Sequence, residues 1–537
     1  MPETVSMRTR DGVRLDADLY RPLGAGPFPV LLMRQPYGRR IASTIAYAHP
    51  SWYAKHGYIV VIQDVRGRGT SAGVFRLFAD DAADGADTID WAASLPGASG
   101  AVGMYGFSYQ GTNQLLAAAG AGPALKALVP AMIGWNIGRD WAYENDAFCL
   151  AAGLGWATQM AAENARLAGD SDAFNAFFAA SRHLPLSGPI AASPDYMSKH
   201  GRYSHYGDWL AHPPDDEYWG KFSPATNAQR VRVPMLFVGG WYDSHLPGTI
   251  AAFRHFAAAQ PERTRIAIGP WLHFPWTRTV AGTDFGTEAA ANIDALQVRW
   301  FDRWLKGSDA SPDEPPVRLF DMGTRQWQSF SVWPASQTTF FLAGDGRAAL
   351  DESDGRLSTL PSDPEGCEFI VHDPWRPAPA VGGAYGTPPG PADRAAIDER
   401  PDVLTFTSAP MEAPMALAGD VSARLWLTSD APDFDVSCAL SCVTPDGRAT
   451  ALAQGYRRVK RGADRDAPIT VPMRATCITL PRGNRLRLSI AGACFPAYPV
   501  NPGTGADPTS ASNADAKTIT LGVRHGGPFA SSLLLGR

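Results

Sequence analysis

Basic runs, long apolar stretches and paired cysteines are all missing from this sequence. Lys and Arg total 48 against 53 Asp and Glu, giving a formal net charge of −5. No Lys/Arg-rich segment interrupts the chain, which argues against an electrostatic nucleic-acid binder. No uninterrupted apolar run approaches the ~18 residues of a membrane span. The amino terminus, MPETVSMRTRDGVRL, lacks the apolar core of a secretory signal. Six cysteines are scattered at 149, 367, 438, 442, 477 and 494, with no C-x-x-C pair and no histidine companions at zinc spacing. They read as buried free thiols in a reducing cytoplasm, and neither a metal nor a cofactor is expected. Small molecules are the expected partners, with no nucleic acid and no membrane, and homo-oligomerisation stays open. A chain of 537 residues exceeds one hydrophobic core and predicts about three domains.

What is present changes character along the chain. A turn at Arg10-Asp11-Gly12 between two alternating runs predicts a hairpin at a sheet edge. Apolar runs at 29–34, 58–64, 102–107 and 125–132 suit buried parallel strands, and 80–95 predicts an amphipathic helix with an acidic start. This alternation implies a mainly parallel sheet covered on both faces. Residues 135–228 are rich in Trp, Tyr, Phe and Ala and predict a helical cap, with helices over 141–168 and 172–182. Strand signals return at 233–239 and 265–268, and a helix over 293–306 closes the α/β domain. From Pro316 onward, short alternating runs between Gly, Pro and Asp turns predict an antiparallel β-sandwich. Pro-rich stretches at 373–391 and 495–508 are expected as surface loops. The expected organisation is an α/β domain over 1–134 and 229–315, a cap over 135–228 and a sandwich over 316–537.

The segment 101–119, AVGMYGFSYQGTNQLLAAA, runs from an apolar strand through a turn at Ser108 into a helix-forming stretch. This is the layout of a nucleophile elbow, which lifts a serine oxygen clear of the carboxyl edge of a parallel sheet. A strict G-x-S-x-G match lies elsewhere, at Gly69-Thr70-Ser71-Ala72-Gly73, whereas the second glycine after Ser108 comes one place late. Context decides between them. Ser71 follows a Gly/Arg loop and no helix comes after it, while Ser108 has a strand directly before it and a helix directly after. Ser108 is the predicted nucleophile, and Ser71 a loop serine.

A serine hydroxyl needs a histidine to take its proton and a carboxylate to hold that histidine. On such a sheet the acid and then the histidine follow the serine, each just beyond a later strand. The run PMLFVGGWYD ends at Asp243, and the next strand leads through GPWLH to His273. Order and placement therefore select Ser108, Asp243 and His273. His245 follows the acid's own strand and suits a place lining the substrate. Asp64 precedes the serine and, with Arg66 nearby, reads as an ion pair shaping its loop. The oxyanion needs two donors. The elbow offers the Tyr109 backbone N–H, and the loop after 29–34 carries a proline that cannot donate, leaving the Tyr37 hydroxyl as the side-chain candidate.

Together, G-F-S-Y-Q-G at 106–111, P-Y-G at 36–38, Q-D-V-R-G-R-G-T-S-A-G at 63–73, G-G-W-Y-D at 239–243 and G-P-W-L-H at 269–273 resemble the CocE/NonD hydrolases. That group includes esterases, Xaa-Pro dipeptidyl-peptidases, α-amino-acid ester hydrolases and acylases. The late glycine is the family's pattern, and R-P-D-V-L-T-F-T-S at 400–408 resembles the start of its carboxyl-terminal domain. The resemblance implies an α/β-hydrolase core with an inserted helical cap and a C-terminal jelly-roll β-sandwich. It also implies Ser108, Asp243 and His273 as the triad, with Tyr37 and Tyr109 as oxyanion donors.

Substrate is where such enzymes diverge. Those that capture a free α-ammonium group use carboxylates, because a buried cation must be paired. In the amino-acid ester hydrolases acids closely follow the catalytic aspartate, and here those places hold Ser244, His245 and Leu246. Asp140 and Glu144, four apart on the first predicted cap helix, read as a solvated face. Trp135, Trp141, Tyr143, Phe148 and Trp156 are candidates for an apolar acyl pocket, with plain core packing as the alternative. The expected function is a cofactor-free serine hydrolase of esters or amides with a neutral, bulky or aromatic acyl group. A Xaa-Pro dipeptidyl-peptidase or acylase is the alternative within that class. A catalytically inactive carbohydrate-binding or scaffold protein is the alternative outside it.

Overall fold

The structure, a computed structural model, describes residues 2–186, 188, 193–308, 314–464 and 466–537. The hairpin around Gly12 joins Glu3–Arg8 (β1) and Arg14–Tyr20 (β2) at a sheet edge. Near-continuous apolar strands are buried on both faces and so occupy the middle of the sheet. They are Phe28–Gln35 (β3), Ile59–Asp64 (β4), Ala98–Phe107 (β5), Leu125–Ala131 (β6), Met235–Tyr242 (β7) and Thr264–Leu272 (β8). Val317–Asp321 (β9) and Gln326–Phe330 (β10) complete a ten-stranded sheet of order β1-β2-β4-β3-β5-β6-β7-β8-β9-β10. Neighbours from β4 through β9 run parallel. The helices Asp81–Ala93, Tyr109–Ala118, Leu246–Ala259 and Ile293–Lys306 belong to this domain.

The sheet therefore runs past the boundary expected at 316. Val317, Leu319 and Phe320 are fully buried, and β9 pairs in parallel with β8. An alternating run does not announce which of two sheets it joins, and the first strand of the second domain is Gln337–Ala343. From there eleven strands among the described residues form a β-sandwich, including Ala449–Val459, Ile469–Leu480 and Ser532–Gly536.

The cap departs from its predicted start. No helix begins at Trp141; Gly138–Ala142 is a π turn, followed by a hairpin of Tyr143–Glu144 with Ala147–Phe148. Asn145 and Asp146 both adopt positive φ, 45° and 71°, which is the conformation a two-residue hairpin turn demands. The helix proper is Leu150–Leu167, with Ser171–Arg182 after it. The Pro-rich stretches are likewise no free surface loops. Ala380 N–H donates to the Phe495 carbonyl at 2.7 Å, and Leu150 N–H donates to the Ala497 carbonyl at 2.8 Å, so both stretches are wedged between sandwich and cap. A buried ion pair, Glu144 with Arg474 at 2.8 Å, joins the same two units. No described helix is long and apolar enough to cross a membrane.

Candidate active site

The elbow forms where β5 hands over to the Tyr109–Ala118 helix. Ser108 sits there at φ 61°, ψ −126°, a conformation that costs a non-glycine residue about 1–3 kcal/mol and persists only when its surroundings impose it. Its N–H donates to the Ala131 carbonyl of β6 at 2.9 Å. The late glycine has a steric cause. A Cβ at Gly111 would stand 2.6 Å from both the Ala131 oxygen and the Ile133 side chain, and one at Gly106 would stand 2.5 Å from Gln110 Cβ. The close approach falls at 106 and 111, so position 110 carries a glutamine.

Strands β7 and β8 deliver the partners. Asp243 follows β7, His273 follows β8, and both meet Ser108 at one sheet edge. His273 Nδ1 lies 2.7 Å from Asp243 Oδ1, and His273 Nε2 lies 2.9 Å from Ser108 Oγ. Asp243 is wholly buried. Burial opposes its charge, yet the hydrogen bond from His273 and the attraction of that imidazole hold the carboxyl below the ordinary range. An ionised Asp243 fixes a proton on Nδ1 and leaves the Nε2 lone pair facing the serine hydroxyl, the arrangement that makes serine nucleophilic.

Tyr37 and Tyr109 adjoin Ser108 in different ways. Tyr109 is the first residue of its helix, where backbone N–H groups have no intrahelical acceptor. Its ring is locked by stacking on Phe78 at 4.3 Å and by a hydrogen bond from its hydroxyl to Asp81. The Tyr37 hydroxyl interacts with Ser108 and accepts a hydrogen bond from Trp156 Nε1 at 3.1 Å. Burial pushes the Tyr37 phenol up to about 12, against the opposing pull of Trp156, Arg68 and Ser108, so it remains a donor.

A cavity of about 360 Å³ opens at Ser108 and His273. Trp141, Trp156 and His245 line it, together with Phe107, Gly153 and Tyr385. His245 lies between Trp141, 4.1 Å from its ring, and His273, 4.9 Å away. Burial and then the neighbouring His273 push its imidazole down to about 3, so it is neutral. Trp135 and Phe148 do not line the cavity. Trp135 packs on His255 and Phe256, and Phe148 is fully buried in the cap against Tyr143 and Tyr206. Helical spacing in the sequence gives no sign of which aromatic face meets the cavity. Tyr143 also turns away, donating from its hydroxyl to the Trp209 carbonyl at 3.1 Å.

Asp140 and Glu144 are not a solvated face. Asp140 accepts from the Trp135 and Asn136 N–H groups at 3.0 and 2.8 Å, and Glu144 is committed to Arg474. Asp64 pairs with Arg39 rather than with Arg66, whose partners are Asp84 and Asp11. Ser71 donates to the Asp64 carbonyl at 2.7 Å and accepts from Asp16 N–H at 2.9 Å, which ties down its loop. Sequence reasoning missed the lining residues Ile41, Ile45, Phe107, Phe274 and Tyr385, the last because it lies in a Pro-rich stretch with no periodic signal.

Residues 11–275 match the X-Pro dipeptidyl-peptidase (S15 family), and residues 310–529 match the X-Pro dipeptidyl-peptidase C-terminal non-catalytic domain. The cocaine esterase of Rhodococcus sp. (strain MB1 Bresler) is 33% identical over 532 residues, which cover 93% of this chain and 92% of that one. An aminopeptidase from the marine sediment archaeon Thaumarchaeota archaeon shares the fold with a TM-score of 0.83 at 23% identity, covering 100% of this chain and 96% of its own. An α-amino acid ester hydrolase does so with a TM-score of 0.81 at 22% identity and the same coverage. With the fold of the whole chain shared and a full-length relative one third identical, this chain belongs to the S15 family and is a serine hydrolase of the CocE/NonD group.

Proposed function

We propose that the protein cleaves small carboxylic esters or amides through an acyl-enzyme on Ser108, taking acyl groups that are neutral and bulky or aromatic. The observation that carries this reading is the hydrogen-bonded line Asp243–His273–Ser108 at the mouth of a cavity lined, among the described residues, by no Asp, Glu, Lys or Arg. Ser108 Oγ adds to the carbonyl carbon while its proton passes to His273 Nε2. The carbonyl oxygen takes the negative charge and is met by the Tyr37 hydroxyl and the Tyr109 N–H. Collapse expels the alcohol or amine, which leaves with the proton from His273. Water then repeats the sequence on the acyl-enzyme and frees the acid. Trp141, Trp156 and Tyr385 offer apolar surface to the acyl group, while Ile41, Ile45 and Phe274 form an exposed apolar rim, 75%, 58% and 71% accessible.

The family description makes a Xaa-Pro dipeptidyl-peptidase the competing reading. Such a substrate brings an α-ammonium group, and the two cap acids considered for its capture, Asp140 and Glu144, are already engaged. Two measurements test the proposal. A fluorophosphonate probe is expected to label the wild type and not Ser108→Ala. A neutral aryl ester is expected to be hydrolysed far faster than a Xaa-Pro anilide. Labelling that survives Ser108→Ala removes the assigned nucleophile, and a preference for the anilide favours the peptidase.

A further inference from the structure

Arg68 is a buried cation without a counterion among the described residues. Its residue is 1% exposed, and among the described residues no carboxylate forms an ion pair with it. Glu163 acts on it only through space, and that carboxylate is paired with Arg166 at 2.7 Å. The Arg68 guanidinium lies over the Phe75 ring, 3.9 Å from the centroid. One Nη donates to a neutral acceptor, the Met160 carbonyl, at 3.3 Å, and Nε has no hydrogen-bond partner. A guanidinium taken out of water costs several kcal/mol unless it is paired, so proteins seldom keep one in this state. Arg34 and Arg39, also buried in the α/β domain, are both paired, the first with Asp81 and the second with Asp18 and Asp64.

The place of this charge gives it a use. Met160 and Trp156 are four residues apart on the Leu150–Leu167 helix and so share a face. Trp156 donates to the Tyr37 hydroxyl, and the Phe75 ring under the guanidinium lies 6.2 Å from that of Tyr109. His205 meets Trp156 edge-on with ring centroids 5.2 Å apart, and burial together with Arg68 keeps it neutral. The charge of Arg68 is felt at Tyr37, where it pulls the phenol toward ionisation. A phenol pulled in that direction is a stronger hydrogen-bond donor. Among the described residues the lining of the cavity carries no carboxylate, so negative charge arrives there when the substrate carbonyl becomes an oxyanion.

We propose that Arg68 is a positioning residue for the oxyanion site: its guanidinium, unpaired among the described residues and held against the cap helix whose Trp156 donates to Tyr37, polarises the phenol toward the negative charge that forms on the substrate oxygen. The benefit is specific to the charged tetrahedral state and absent from the neutral ground state, so it raises kcat rather than tightening KM. This inference rests on the reading of Ser108 as nucleophile and Tyr37 as donor.

The test compares wild type, Arg68→Gln and Arg68→Lys, each with and without Tyr37→Phe, on a neutral aryl ester and with phenylboronic acid. The boronic acid is neutral until Ser108 Oγ bonds to boron and its proton moves to His273, which leaves an anionic tetrahedral adduct. Arg68→Gln keeps a donor for Met160 and loses the charge. It is expected to lower kcat roughly tenfold with KM within about twofold, and to weaken boronic acid binding by a similar factor. Arg68→Lys is expected to recover most of both. In the Tyr37→Phe background Arg68→Gln is expected to cost less than about twofold. Equal losses in the two backgrounds, or an unchanged boronic acid affinity in Arg68→Gln, overturn the proposal. Should Arg68→Gln not fold, Arg68→Lys with and without Tyr37→Phe decides it. Near-wild-type kcat and boronic acid affinity then support the charge, and a loss as large in the Tyr37→Phe background as in the wild-type one overturns it. A wild type that binds no boronic acid and takes no fluorophosphonate indicts the nucleophile assignment instead.

Discussion

In the proposed mechanism Tyr37 supplies one of two hydrogen bonds to an oxygen that is charged only in transit. Removing such a donor typically costs about 3–4 kcal/mol of transition-state stabilisation. Tyr37→Phe is therefore expected to lower kcat on an aryl ester by roughly 10²-fold with KM little changed, read from steady-state kinetics. His245 makes the opposite point. Held down to about 3, it does not titrate in the working range. His245→Phe is expected to alter the choice of acyl group while leaving the shape of the pH–rate profile between about pH 5 and 9 unchanged. Asp140 is raised to about 7, chiefly by burial, from an ordinary carboxylate value. The folded state thus holds its proton more tightly than the unfolded chain. Its contribution to stability is complete below the unfolded pKa and fades as pH rises toward 7. Thermal melts of Asp140→Asn across about pH 4 to 7 are expected to show a flatter dependence than the wild type. At this scale the sequence is most legible where chemistry follows chain order. Asp243 and His273 each stand one step past a buried strand. Trp135 and Phe148 are not legible, since a large aromatic looks the same from the sequence whether it faces a cavity or a core.

At the scale of elements, continuous apolar runs mark β3 through β8, because strands buried on both faces have no other composition open to them. The same logic fails at β9 and β10, whose alternation suits the edge of either sheet. The cap hairpin is hidden because its turn is Asn145-Asp146 without a glycine, inside a stretch whose aromatics mimic helical spacing. The glycine after the elbow is legible as a pattern, and the structure supplies its reason. Gly111 brings the Tyr109–Ala118 helix against the Ala131 carbonyl, and any side chain forces the two apart. Gly111→Ala is expected to cost on the order of 1–3 kcal/mol in chemical denaturation and to lower fluorophosphonate labelling by shifting Ser108. A full loss of labelling with unchanged stability would mean that the methyl acts on the site and leaves the packing intact.

For the whole molecule, the sandwich is part of the site. Arg474 lies over Tyr385, 5.0 Å from its centroid, while pairing with Glu144 of the cap. Breaking such a buried pair on one side leaves an uncompensated charge and typically costs about 3–5 kcal/mol. Glu144→Gln is expected to lower stability by that order in denaturant titrations and to raise KM for bulky acyl esters, since the Tyr385 wall loosens. Replacing both partners by apolar residues is expected to recover stability more fully than affinity. None of this is visible in the sequence, where 144, 385 and 474 share no motif and only the folded chain brings them within reach.

Tyr385 sits more than a hundred residues beyond His273, on a segment that carries none of the proposed proton carriers. Changes in that segment can therefore reshape what the enzyme accepts without disturbing how it breaks the bond. One wall of the acyl pocket is thus encoded apart from the residues that carry the reaction, on a stretch free to vary independently of them.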